Sequence, residues 1–143
     1  MLDDSNVSIC LDTGHLAIGG ADPLALANDA FDRIGHVHLK DIDGAVALRL
    51  RGGELGLVEA VRHGLFRPLG DGDVPVAEIA AVLARRGYYG WLVLEQDTAL
   101  DRVPPAGGGP VDDVRRSIEF LRSIEGDGRV TQTPGVRTKG RYG

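Results

Sequence analysis

Short apolar runs alternate with helix-patterned segments along this chain, and that alternation leaves few folds open. The pattern reads strand, helix, strand, long excursion, helix, strand, helix, tail. Strands that take turns with helices imply βα units on a parallel sheet, hence an α/β fold. Three units are legible. The first strand is expected over Val7–Leu11, before the turn Asp12-Thr13-Gly14. A helix follows, with Asp22 as N-cap, Pro23 at its first position and Leu24, Ala27, Phe31 and Ile34 on one face, ending at Gly35. His36–Leu39 and Trp91–Leu94 are the second and third strands.

The excursion between those strands is expected to carry a short helix through Leu55, Val58, Val61 and Leu65. Next come the turn cluster Gly70-Asp71-Gly72-Asp73 and a helix capped by Asp73. That helix carries Val76, Ile79, Ala80 and Leu83 on its buried face and closes at Gly87. A Gly/Pro loop over residues 104–110 leads to a last helix through Val111, Val114, Ile118 and Leu121. Residues 1–125 then form the folded part, and the polar, aperiodic residues 126–143 read as a disordered tail.

Composition narrows the function classes. The net charge is −5 with no basic stripe, which argues against nucleic acid as a partner. No apolar run approaches the roughly 20 residues of a membrane span. A single cysteine fits a reducing compartment, and no signal peptide is visible, so a cytoplasmic location is expected. With 143 residues the chain is one domain, too short for a complete eight-unit α/β barrel of about 200 residues or more.

Strand parity carries the chemistry. Val7, Ile9 and Leu11 face opposite to Ser8, Cys10 and Asp12. Val37 and Leu39 oppose His36, His38 and Lys40. Leu92 and Leu94 oppose Trp91, Val93 and Glu95. One face of each strand is apolar, and the other ends in a ligand-type residue: Asp12, His38 and Glu95. All three stand at C-terminal strand ends, where parallel α/β folds place their sites. Two carboxylates and an imidazole suit a divalent metal. His15, three residues past Asp12, is close enough to reach the same cavity, and Lys40 lies two past His38 on the same face, one layer higher. Each residue also has a bland account: Asp12 as a turn cap, His36 and His38 as core histidines, Glu95 as a rim residue, Lys40 and Asp41 as a surface ion pair. Gly70-Asp71-Gly72 reads as a tight turn, since it lacks the Lys and Ser/Thr of a phosphate loop. Three bland accounts at three equivalent positions are harder to accept than one site.

Four motifs occur in order: Leu11-Asp12-Thr13-Gly14-His15, His36-Val37-His38-Leu39-Lys40-Asp41, Pro68-Leu69-Gly70-Asp71-Gly72 and Gly90-Trp91-Leu92-Val93-Leu94-Glu95. They resemble the xylose isomerase-like barrel family, and within it the inosose dehydratase branch, over Val7–Ile124. The resemblance implies a (β/α)8 barrel, of which this chain supplies the C-terminal three βα units as a partial barrel. It implies one divalent metal, Mn2+ or Co2+ first and Mg2+ or Zn2+ next, held by two Glu, one Asp and one His. Three of these fall on Asp12, His38 and Glu95; the other Glu belongs to an earlier strand that this chain lacks. His15 and Lys40 fall where substrate oxygens would be held. Residues 44–67 lengthen the His38–Glu95 interval beyond that of the epimerase branch, and Gly44 stands where epimerases carry an Arg. The implied activity is a metal-dependent lyase acting on a keto-inositol in myo-inositol catabolism. Its catalytic groups are drawn from Glu95, His15 and Lys40. The alternatives are a sugar isomerase or epimerase, or a non-catalytic barrel fragment. A truncated form, poorly active alone and completed by an N-terminal half or a second copy, is the corresponding expectation.

Overall fold

The computed structural model describes residues 7–126, so the expected disordered tail lies outside the described residues apart from Gly126. Three parallel strands make the main sheet: β1 (Ile9–Asp12), β2 (Ile34–Leu39) and β5 (Trp91–Leu94), in the order β1-β2-β5. Leu11, Val37 and Leu39 on their apolar face have no exposed surface and pack beneath Ala27, Ile79 and Leu83. The parity reading fails in part on β5. Leu92 stays 46% exposed and Trp91 77% exposed on a strand that pairs with β2 alone among the described residues.

Residues 13–19 form a helix, α1 (Thr13–Gly19), rather than only a turn. Asp12 caps it by accepting from the His15 amide at 2.8 Å. α2 (Pro23–Asp29) begins as expected, with the Asp22 carboxylate accepting from Leu24 and Ala25 and Pro23 in the first turn. It ends earlier than expected. A 3-10 turn over Phe31–Arg33 follows, and Ile34 already belongs to β2, paired with Ile9. Gly35 is therefore a strand residue and not a helix stop. A Cβ there would sit 2.6 Å from Ser8 Cβ, so the position needs a residue without a side chain.

The excursion holds more structure than its sequence suggests. It contains β3 (Asp41–Ile42), α3 (Gly44–Arg51), α4 (Leu57–Arg62) and β4 (Phe66–Arg67), with β3 and β4 antiparallel. The expected helix over residues 55–65 is α4, shorter than the pattern. Asp73 does not cap the next helix, α5 (Val76–Arg85), which has no side-chain cap. It accepts instead from the Gly44 amide at 2.7 Å, at the start of α3. The buried face of α5 and the left-handed Gly87 are as the sequence indicates. α6 (Pro110–Gly126) is the last element among the described residues, and its buried Ser117 Oγ accepts from the Leu69 amide.

Asp43 caps α3 through Val46 and pairs with Arg67 of β4 at 2.8 Å. The Arg67 hydrogen bond, aided by the Val46 amide, holds its carboxyl below the usual carboxylate range. A depressed carboxyl contributes stability that is present above its unfolded pKa and lost as pH falls through the folded one. Asp43→Ala is expected to cost about 1 kcal/mol near pH 7. Part of that difference from the parent should disappear in melts run progressively below the ordinary aspartate range. A gap constant with pH would remove the ionic part of this account.

Asp41 is 1% exposed and is not part of a surface ion pair. Its carboxylate accepts from the amides of Ile42, Gly70, Gly72 and Val74 at 2.9–3.1 Å. Burial pushes its carboxyl above the usual range, against the pull of these four amides. Gly70-Asp71-Gly72 is thus a turn, as expected, and the anion its amides cradle is the protein's own.

Candidate metal centre

Register brings the three strand ends together. Asp12 lies opposite His38, Leu39 opposite Leu94, and the Glu95 amide bonds Leu39 O at 3.2 Å. Asp12, His38 and Glu95 can each present one ligand atom within 4.8 Å of the others, the set expected from strand parity. Their side chains are 16%, 31% and 33% exposed, so the cluster is open enough to be reached and dry enough to matter.

Asp12 Oδ2 lies 2.7 Å from His15 Nδ1 and 3.6 Å from His38 Nδ1. Glu95 Oε1 accepts from Lys40 Nζ at 3.0 Å. Glu95 Oε2 is buried and accepts no hydrogen bond, although His38 Nδ1 lies 2.7 Å away. A bare, buried carboxylate oxygen is costly. Here it faces an imidazole nitrogen with a second carboxylate close by. The donor types of this O, N, O set fit a divalent metal.

Lys40, expected at the substrate, lies behind Asp97 and Phe66, which line a cavity beside the site. It is 1% exposed and sits behind Glu95. Its Nζ bonds Glu95 and, at 2.7 Å, Asp97, and lies 4.8 Å above the Phe66 ring. Burial alone would lower its pKa; the hydrogen bonds to Asp97 and Glu95 and the field of Asp12 outweigh this and hold it above the usual lysine range. The stem packs on Gly14, where a Cβ would come within 2.6 Å of Lys40 Cγ. Thr13 Oγ1 donates to Lys40 O and accepts from Lys40 N, at 2.7 and 2.9 Å, tying α1 to the end of β2.

His15 is on the open side. It lines a cavity of about 390 Å³ with Phe66, Asp97 and the apolar Leu57, Val58 and Val61 of α4. His36 is half-buried and packs edge-on against His38 at 5.0 Å, a packing role rather than a ligand role. Sequence reasoning missed Asp97. The available signal was its parity with Glu95, two residues earlier on the same extended segment.

The sequence model of the xylose isomerase-like TIM barrel matches residues 1–124. The chain belongs to this family. An inosose dehydratase of Bacillus anthracis is 42% identical over 126 residues, which are 88% of this chain and 41% of that protein. One from Bacillus thuringiensis is 36% identical over 124 residues, 87% of this chain and 40% of that protein. A xylose isomerase domain protein from Planctomyces limnophilus superposes with a TM-score of 0.63 at 22% identity, over 88% of this chain and 41% of that one. The chain therefore spans about 40% of the length of the relatives it matches. Its parallel strands and their helices are part of such a barrel. Among the described residues no helix is long and apolar enough to cross a membrane.

Proposed function

We propose that Asp12, His38 and Glu95 hold one divalent metal, Mn2+ or Co2+ before Mg2+ or Zn2+. The barrel to which these strands belong then acts as an inosose dehydratase-like lyase on a keto-inositol. The observation that carries the metal reading is the convergence of Asp12, His38 and Glu95, with Glu95 Oε2 2.7 Å from His38 Nδ1. The substrate class rests on the named activity of the relatives, each matched over about 40% of its length. The bound metal would supply Lewis acidity toward the substrate carbonyl.

The protein groups divide the remaining work. Among this chain's carboxylates, Glu95 would take a proton from the carbon beside the ketone. His15, 59% exposed and lining the cavity, would return a proton to the departing hydroxyl. Its contact with Asp12 orients the ring toward that task. Loss of a hydroxyl from the neighbouring carbon then completes the dehydration. Leu57, Val58 and Phe66 give the cavity an apolar wall against which the C–H face of a cyclitol can lie.

Visible absorption of added Co2+ tests this without requiring turnover. Co2+ is expected to bind, and a keto-inositol is expected to perturb its spectrum where a ketohexose does not. The reverse ligand order would transfer the reading to a sugar isomerase. Absence of Co2+ binding would remove the metal.

A further inference from the structure

We propose that Asp97 is a positioning residue for the metal centre, acting through Lys40 to keep one oxygen of Glu95 free for the cation. The inference rests on the metal reading above and adds a residue to it. Lys40 Nζ is a buried cation held between two carboxylates, Glu95 at 3.0 Å and Asp97 at 2.7 Å. Both hydrogen bonds run from the same ammonium group, so the two carboxylates share one charge. The Lys40 backbone is tied to Thr13, its stem packs on Gly14, and its ammonium lies over the Phe66 ring.

The consequence for Glu95 is geometric. Lys40 takes Oε1 and leaves Oε2 facing His38 Nδ1, 2.7 Å away. A carboxylate restrained at one oxygen offers the other as a monodentate ligand of fixed direction. Without Asp97, the whole charge of Lys40 would fall on Glu95. The ammonium would then compete with the metal for the same carboxylate. Asp97 therefore favours the metal although it is outside the group of side chains that converge on it. Asp97 is 47% exposed at its side chain, so its replacement leaves the core intact.

A double-mutant cycle decides the matter. Asp97→Asn is expected to weaken Co2+ binding roughly tenfold or more, the scale for an outer partner of a ligand. In a Lys40→Met background, the same change is expected to cost nothing further. Equal losses in both backgrounds would mean that Asp97 acts on the cation directly and would overturn the proposal. No loss in the parent background would overturn it as well. Thermal melts of each variant report retained folding.

A metal-free readout separates this inference from the one beneath it. In nitrogen-15 NMR, the Lys40 ammonium is expected as a solvent-protected signal that broadens or disappears in Asp97→Asn. If Co2+ does not bind the parent chain, the metal reading fails, and this signal still decides whether Asp97 holds Lys40. A signal unchanged by Asp97→Asn overturns the positioning role.

Discussion

Glu95→Gln is expected to weaken Co2+ binding by more than about a hundredfold, beyond the usual roughly 10–100-fold cost of losing an outer partner. The size of the effect follows from Lys40. An ammonium only donates, so the amide oxygen of the introduced glutamine would turn toward Nζ, in the place of Oε1. The amide NH2 would then occupy the position of Oε2, placing a donor where the cation needs an acceptor. Glu95 is 33% exposed at its side chain, so the fold should persist, and a melt close to the parent's would confirm it. Asp12→Asn is a less clean probe, since Asp12 also caps α1. Undiminished Co2+ binding by Glu95→Gln would remove Glu95 from the site.

Asp41→Ala is expected to be the most destabilising single change among the residues near the site. Four backbone amides would lose their acceptor together. A buried donor left without a partner costs about 1–3 kcal/mol. If solvent rescues half of them, the loss is still about 2–6 kcal/mol. Domains of this size have roughly 5–15 kcal/mol in all. The damage should spread to α3, because the Asp73 that supports Gly44 belongs to the same turn. Asp41→Asn keeps one acceptor oxygen and is expected to fall between Ala and the parent. Urea titration of the three proteins checks the order. Equal midpoints for Ala and parent would show that the turn folds without its anchor.

The site was legible where strand parity alone decides the outcome. Asp12, His38 and Glu95 occupy C-terminal ends of parallel strands, and the sheet register then sets them side by side. Lys40 shares a face with His38 by the same parity, but its depth depends on Gly14, Phe66 and Asp97, which come from three other segments. No local pattern reports such burial. β3 and β4 are two residues each, too short to show a period. α3 mixes Gly44 and two arginines with its apolar residues, and what starts it is the pair Asp43 and distant Asp73. Asp73 lies three residues before α5 and reads as its cap, yet the bond it makes is across the fold. Ile34 follows a helical pattern until Ile9 claims it for the sheet.

The long reach of the Thr13, Lys40, Glu95 and Asp97 contacts has a consequence for how the protein comes together. Thr13 and Lys40 are 27 residues apart, and Lys40 is 55 from Glu95 and 57 from Asp97. Each contact closes a large loop, and the entropy of that closure is lost before the contact repays it. The centre can be complete only when β1, β2 and β5 have met in register, so its formation would report that the sheet has assembled.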